Sequence, residues 1–458
     1  MRSIVAPDVV HKSKFNRFHL GVFIWCFFAI AFEGYDIALY GVGLPWMMKD
    51  LHFTSLQSGA VGSFTLFGMM LGALFLAPIA DRYGRKNIMV ISMVLFSLFS
   101  LAAGFSPDVK IFAMLRFVSA IGMGALLPNL ISMMTEYSPI KNRPIIVALM
   151  YCGYSIGGIL ASLMGMYLIS SNEDWRILYF IAAIPLLGLP IFFKMFPESL
   201  SYYMERKNKK KIVEILNKVD PNGNYTEKDM FQYKLFDIGV KKTPVAKLFK
   251  NKRTFSTICF WIAVFCTLML VYGLSTWLPK MMQETGFSIS SSLSFNLVLC
   301  FGQIIGSMGG GYFAEKVGYR KVLVTMFFIG ALTFVALSLT HNMVALYILI
   351  GIGGACTVGA MNLANPYITE FYPRDIRTTG MGYTQAIGRV GSILAPTVIA
   401  LILATGIRPN LAFATFAVPS IIAAIGYLLV QERYSSFDGQ LYRSKKVESN
   451  KAMSTYPH

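Results

Sequence analysis

Twelve long apolar stretches, set apart by short polar turns, constrain this chain more than any other feature. They run over roughly 20–48, 58–80, 88–105, 110–134, 144–169, 175–196, 255–279, 291–314, 321–340, 343–366, 380–404 and 411–431. About 20 apolar residues cross the hydrocarbon core of a bilayer as a helix. Lipid offers no partner for a backbone amide, so a spanning segment must satisfy its own hydrogen bonds as a helix or close into a barrel. Stretches of this length favour the helix. Composition agrees: 55% of residues are hydrophobic and 14% charged, against about 25% charged in a soluble protein. The expectation is an all-α polytopic membrane protein with twelve transmembrane helices. Residues 1–19 carry no cleavable signal pattern, so the first span is expected to stay in the mature protein.

The net charge of +18 would suit a nucleic-acid partner, but its distribution argues against one. Of 41 Lys and Arg, 34 fall in the termini and the even-numbered loops, and 5 in the odd-numbered loops. Cytoplasmic loops carry the excess of Lys and Arg, so both termini are expected in the cytoplasm, with the chain spanning the plasma (inner) membrane. All six cysteines (26, 152, 259, 266, 300 and 356) lie in spans without paired spacing and read as small apolar packing residues. The histidines at 11, 19, 52, 341 and 458 fall in tails or loops, which leaves carboxylates as the only proton carriers within the spans.

A polar, basic break at 197–254 divides six spans from six, with a short amphipathic helix expected near 207–219. This gives a cytoplasmic N-terminal tail (1–19), a six-helix bundle (20–196), the basic cytoplasmic linker (197–254), a second bundle (255–431) and a cytoplasmic C-terminal tail (432–458). The halves repeat at one offset of 234 residues. "LPWMMKD" at 44–50 answers "LPKMMQE" at 278–284, and Gly68 and Gly72 answer Gly302 and Gly306. "ADRYGRK" at 80–86 answers "AEKVGYRK" from 314, and "TEYSPIKNR" at 135–143 answers "TEFYPRDIR" at 369–377. Two parallel, pseudo-symmetric six-helix bundles form a transporter architecture whose binding site lies near the midplane between them. The repeated charges at cytoplasmic turns suit a gate that latches and releases: Asp81, Arg82, Arg85, Lys86, Glu136 and Arg143 in the first half, Glu315, Arg320, Glu370 and Arg377 in the second. Their plainer role is to keep the turns soluble.

Four charges deep within spans are not repeated. The offset sets Thr267 opposite Glu33, Leu270 opposite Asp36, Ile350 opposite Arg116 and Ser155 opposite Arg389. A charge at the bilayer centre costs roughly 2.5–3.5 kcal/mol on insertion scales and usually marks a pathway or relay. Glu33 and Asp36, three apart, share one helix face. Arg116 in the fourth span and Arg389 in the eleventh come one from each half, so a common cavity is expected, with acids and arginines neutralising one another when it is empty. A static charge network joining the bundles is the bland alternative. An always-charged guanidinium offers a planar fork that fits a carboxylate but holds its proton, whereas burial favours the neutral form of a carboxylate and lets it load and unload. The arginines are therefore expected to bind an anion and the acids to carry protons. Tyr35, Tyr40, Asn129, Tyr151, Tyr272, Asn362, Tyr383 and Gln385 lie at similar depth and are candidate pocket residues.

These residues resemble the major facilitator superfamily over nearly the whole chain, through "ADRYGRK", "LRFVSAIGMG" at 115–124 and the twelve-span repeat. Within it, "EGYDIALYG", "PN" at 128–129, "TEYSPIKNR", "MYCGYSIG" at 150–157, "YGLSTWLP" at 272–279, "FYPRDIRTTGMGY" and "GRVGSILAP" are similar to the aromatic acid:proton symporters. The resemblance implies uptake of benzoate-like or hydroxybenzoate-like anions with protons. It places that family's acid pair on Glu33 and Asp36 and its arginines on Arg116 and Arg389. Three positions depart from the pattern: Glu33 stands where aspartate is usual, Ala77 where the loop motif begins with glycine, and Met361 at a glutamine position.

The expected function is secondary active import of an aromatic or related organic carboxylate by proton symport through alternating access. A proton-coupled sugar or polyol porter is the alternative suggested by "PES" at 197–199, and a transporter-like sensor without transport is a further one. No nucleophile constellation, metal cluster or nucleotide-binding loop is present in the sequence, so an enzyme is not expected. No cofactor is expected either, and the proton gradient would drive the cycle. The expected partners are a small organic anion, protons and membrane lipid, without nucleic acid, around a monomer.

Overall fold

The computed structural model describes residues 3–170, 174–232, 245–373 and 376–435. Positions 233–244 of the expected linker and 436–458 of the expected C-terminal tail lie outside the described residues. Among the described residues, twelve helices are long and apolar enough to cross a membrane: Arg17–Asp50, Ser55–Tyr83, Arg85–Gly104, Val109–Tyr137, Ile145–Leu168, Arg176–Met195, Thr254–Glu284, Ile289–Val317, Tyr319–Leu339, Met343–Phe371, Thr379–Ala404 and Pro409–Leu429. They match the twelve apolar stretches to within a few residues, and most extend past the apolar run into polar ends. The first begins at Arg17 because Asn16 caps it: its side-chain oxygen accepts the amides of Phe18 and His19, groups that otherwise lack intrahelical partners.

The 234-residue repeat is visible in the packing. A Cβ on Gly68 would meet the Phe117 carbonyl oxygen well inside 3.0 Å, and one on Gly302 would meet that of Gly351. Gly157 lies in the same way against the Ala31 carbonyl, and Gly391 against that of Phe265. Both partners in each pair are displaced by 234. Small residues let backbones approach this closely where lipid supplies no hydrophobic drive between helices. Gly84 and Gly318 begin the third and ninth spanning helices at φ of 97° and 98°, a left-handed geometry that glycine adopts without steric cost. The sixth and twelfth helices both break after their first turns, into Arg176–Ile181 with Ile184–Met195 and Pro409–Ala414 with Ala417–Leu429. Pro185 and Pro419, again 234 apart, follow the breaks and lack the amide that would bond back across them.

These contacts predict a graded cost. Gly157→Ala and Gly391→Ala force helices apart, and overpacking of this kind costs about 1–3 kcal/mol. Gly311→Ala, whose Cβ would meet nothing within 4 Å, leaves the melting temperature of the purified protein unchanged. Equal melting temperatures for all three would refute the need for close approach.

The chain folds into two compact units. One comprises Met1–Leu235, Gly273–Phe301 and Ala395–Pro409, and the other Phe236–Tyr272, Gly302–Leu394 and Asn410–His458. In the first unit the first helix packs on the fifth, and the fourth packs on the second and third. This unit also takes in the ends of the seventh, eighth and eleventh helices remote from the linker. Trp277 Nε1 donates to the Pro396 carbonyl at 3.0 Å, the Ser63 and Thr397 hydroxyls lie 2.7 Å apart, and Asn296 Nδ2 donates to Ser162 Oγ at 2.9 Å. In the second unit the ninth helix packs on the tenth and twelfth, and Phe260 is ringed by Tyr367, Phe371, Tyr372 and Tyr427.

The segment expected as a plain tail is built into the first unit. Ser3–Val5 pairs in parallel with Met230–Gln232, with Ser3 opposite Met230. A short helix, Ala6–Lys12, follows. Its last turn accepts the Ile140 amide at the His11 carbonyl, 3.0 Å away. The expected linker helix is Lys209–Val219, with Ile212, Ile215, Leu216 and Val219 buried along one stripe. Asn16 Nδ2 caps its far end by donating to the Lys218 and Val219 carbonyls at 3.0 and 2.9 Å.

Candidate functional site

The first helix carries Glu33 and Asp36 into the first unit, and both are fully buried. Asp36 is engaged on both carboxylate oxygens. Arg116 Nη1, from the fourth helix, donates to Oδ2 at 2.6 Å, and Nη2 donates to the Asp36 backbone carbonyl at 3.2 Å. Ser100 Oγ, from the third helix, donates to Oδ1 at 2.5 Å. Arg116 is 1% exposed and its guanidinium lies 5.6 Å over the Tyr179 ring. Desolvating two ions costs several kcal/mol each, which attraction offsets only when geometry is good and further hydrogen bonds are made; here the serine and the Asp36 carbonyl supply them. Beyond the acid, Ser100 Oγ lies 2.8 Å from Ser119 Oγ, and Ser119 donates to the Phe96 carbonyl at 3.0 Å.

Other candidates of this unit are engaged in helix contacts. The Tyr35 hydroxyl donates to the Leu178 carbonyl at 3.0 Å, and that of Tyr40 to the Ser58 carbonyl at 2.6 Å. Asn129 Nδ2 donates to the Ala125 carbonyl one turn back at 2.8 Å. Tyr151 is half-buried on the fifth helix.

In the second unit Arg389, half-buried on the eleventh helix, donates from Nη1 to the Tyr272 hydroxyl at 3.2 Å. Gln385, one turn earlier, donates to Asn365 Oδ1 at 2.7 Å, and Asn362 Nδ2 donates to Ser307 Oγ at 2.9 Å. Tyr383 is 43% exposed. Three of the four unrepeated charges therefore sort themselves, and Glu33 is buried one turn from Asp36. Asp36 and Arg116 form a closed pair inside the first unit, and Arg389 stands in a polar stretch of the second.

At the linker end of the first unit, Arg85 reaches both Asp81 at 3.5 Å and Glu136 at 2.9 Å. Glu136 also accepts the Ser199 hydroxyl and both the amide and hydroxyl of Ser201, at 2.7–2.8 Å. Arg143 instead donates to the Ser138 carbonyl at 3.3 Å. The Arg82 carbonyl accepts from Arg206 at 3.0 Å, and the Lys86 ammonium lies 4.7 Å over the Phe193 ring. In the second unit Arg320 faces Glu432 at 3.8 Å and donates to the Leu428 carbonyl. Arg377 Nε donates to the Tyr372 carbonyl at 3.4 Å, Glu370 is half-buried and Glu315 exposed.

Sequence reasoning passed over Ser100, Ser119, Tyr179, Glu198 and Glu432. Glu198 Oε1 accepts the Lys86 and Ser199 amides at 3.0 and 2.8 Å, and its carbonyl accepts the Tyr137 hydroxyl at 2.6 Å. Glu432, 234 residues later, faces Arg320, the counterpart of Lys86, so the offset itself was the signal for this pair. Burial pushes the Glu198 carboxyl above its usual range, and the backbone amides pull it back only in part. A carboxyl raised in the folded state binds more protons there than in the unfolded chain, so its contribution falls as pH rises through that window. Glu198→Gln is expected to flatten the pH dependence of the melting temperature above the ordinary carboxylate range, as a series of melts across pH would show.

The sequence profile of the Major Facilitator Superfamily matches residues 26–310 and 297–447. The benzoate transport protein of Acinetobacter baylyi is 35% identical over 437 residues, covering 94% of each chain. The chain belongs to the major facilitator superfamily, among its aromatic acid transporters. The gentisate transporter of Corynebacterium glutamicum is 29% identical over 420 residues, 90% of this chain and 88% of that one. Among solved structures, the xylose transporter XylE from E. coli, in a partially occluded inward-open conformation, superimposes with a TM-score of 0.71 at 15% identity, covering 90% and 97%. A bacterial homologue of the lysosomal transporter Spinster superimposes at 0.71 and 16% identity, covering 93% and 99%. At such identities only the fold is shared. This chain is thus a twelve-helix, multi-pass membrane protein of the major facilitator fold, a transporter and not an enzyme.

Proposed function

We propose that the protein imports a benzoate-like aromatic carboxylate together with protons, through alternating access of its two six-helix halves. The buried Asp36–Arg116 pair carries this reading. A titratable acid is held against a permanent cation, and a proton on the acid weakens their attraction without removing the cation's charge. That is the property a coupling site needs. Arg389 with Tyr272 supplies the anion-binding end in the second unit, where a half-buried guanidinium presents the planar fork that a carboxylate fits. A neutral sugar or polyol gives no return for keeping that charge at membrane depth, and the relatives named for benzoate and gentisate support an aromatic acid. Glu33 adds a second buried carboxyl, so one or two protons accompany each anion. The cycle uses no cofactor and draws on the proton gradient. The Lys and Arg distribution supports cytoplasmic termini in the plasma (inner) membrane, with the chain working as a monomer.

The test is uptake of radiolabelled benzoate by proteoliposomes under a pH step that drives protons inward. Wild type is expected to accumulate benzoate above its equilibrium level, and Asp36→Asn to lose accumulation. Concentrative uptake by Asp36→Asn would overturn the coupling role. Absence of benzoate uptake by folded wild type would overturn the substrate.

A further inference from the structure

On its Oδ1 side, Asp36 opens onto one short chain of polar atoms: Asp36 Oδ1, Ser100 Oγ, Ser119 Oγ and the Phe96 carbonyl, joined at 2.5, 2.8 and 3.0 Å. All three side chains are fully buried, so water does not stand in for a lost partner. We infer that Ser100 and Ser119 form a reversible hydrogen-bond relay that lets Asp36 exchange a proton without leaving a buried polar group unsatisfied in either state. This rests on the proposed coupling role of Asp36 and deepens it by assigning two positioning residues.

The directions of the bonds follow from counting hydrogens. With Asp36 ionised, its oxygens only accept. Arg116 donates to Oδ2, so Ser100 must donate to Oδ1, and Ser119 is left to donate to the Phe96 carbonyl. Both oxygens face a donor, but Arg116, at 2.6 Å from Oδ2, can only donate, whereas Ser100 can turn its hydrogen away and accept, so an incoming proton is better placed on Oδ1. It forms its O–H bond at Oδ1 and must then donate to Ser100 Oγ. Ser100 reverses by rotating its hydroxyl hydrogen toward Ser119 Oγ, and Ser119 keeps its own on the Phe96 carbonyl. No serine O–H bond breaks; one hydroxyl turns. Arg116 Nη1, 3.4 Å from Ser100 Oγ, faces the lone pair that the turn leaves available.

The two serines therefore bias Asp36 in opposite directions. Ser100 gives the ionised acid a hydrogen bond to charge, the stronger kind. Without Ser119 the ionised state is intact, but in the protonated state the turned Ser100 hydroxyl loses the acceptor that stands 2.8 Å away. Leaving one buried donor unsatisfied corresponds to about a tenfold change in an equilibrium or more.

The experiment measures the pH dependence of benzoate uptake KM and maximal rate in proteoliposomes for wild type, Ser100→Ala, Ser119→Val, Ser119→Thr and Asp36→Asn, with benzoate counterflow to confirm folded carrier. Ser119→Val is expected to need about tenfold more protons for half-maximal coupled uptake, and Ser100→Ala fewer than wild type. Ser119→Thr, which matches valine in shape but keeps the hydroxyl, restores the wild-type profile. Unshifted profiles in the serine variants, or shifts of one sign, beside a profile abolished by Asp36→Asn would overturn the relay and leave the coupling role standing. A wild-type pH profile in Asp36→Asn would overturn the coupling role and the relay together.

Discussion

Removing either member of the Asp36–Arg116 pair is expected to abolish coupled uptake, but the two losses differ in their effect on stability. Breaking a buried pair costs about 3–5 kcal/mol, because the remaining charge is left uncompensated. In Arg116→Gln the orphan is a carboxylate, which can escape by taking a proton. In Asp36→Asn the orphan is a guanidinium, which is always charged. At 1% exposure it has the asparagine side-chain oxygen, the Tyr179 ring, the Ser100 hydroxyl and the backbone carbonyl of the substituted residue to lean on, and none of them carries a compensating charge. Asp36→Asn should therefore melt at the lower temperature. Acidic buffer should raise the melting temperature of Arg116→Gln by more than that of Asp36→Asn, which shares every other titrating group but lacks the orphaned carboxylate. The double variant Asp36→Asn/Arg116→Gln should regain most of the stability and none of the coupling. Melting curves in nanodiscs across mildly acidic to mildly alkaline buffer decide it. Equal melting temperatures at every pH would mean that the pair is not desolvated as the structure has it.

The architecture was legible because lipid enforces it. Each span must be long, apolar and helical, so hydropathy located all twelve, and a repeat of one offset carried the pairing of Gly68 with Gly302 through to the packing. The four unrepeated charges were legible for the same reason, since charge at that depth stands out against an apolar background. Their pairing was not. Sequence placed both acids and both arginines at similar depth, but only the rotations of the first and fourth helices bring Arg116 against Asp36 within one unit. Ser100 and Ser119 look like ordinary small residues on tightly packed helices, and no pattern distinguishes a serine that packs from one that faces an acid. Tyr35 and Tyr40 show the converse: polar residues at the right depth whose hydroxyls are given to neighbouring carbonyls. The parallel pairing of Ser3–Val5 with Met230–Gln232 escaped because partners more than two hundred residues apart leave no local periodicity.

The second large effect is expected at Arg389, where affinity rather than coupling is at stake. A hydrogen bond from a charged donor contributes about 1.5–3 kcal/mol, so Arg389→Gln should raise the KM for benzoate by about tenfold to a hundredfold or more. Arg389→Lys should recover part of the loss, since an ammonium restores the charge but not the planar fork that meets a carboxylate on both oxygens. Tyr272→Phe should act more weakly and in the same direction. Its hydroxyl accepts from Nη1 at 3.2 Å and so holds the guanidinium in place without carrying charge. The decisive comparison is benzoate against benzamide as competitors of labelled uptake. If Arg389 reads the carboxylate, wild type should discriminate strongly between them and Arg389→Gln should not, because only the anion loses a partner. Discrimination that survives in Arg389→Gln would move the anion site elsewhere in the chain. Arg116 is the less suitable choice for that role while Asp36 is ionised, since its Nη1 and Nη2 already donate to Asp36. A protonated Asp36 would release it, which makes the order of binding, proton before anion, the point at which the two arginines can be told apart.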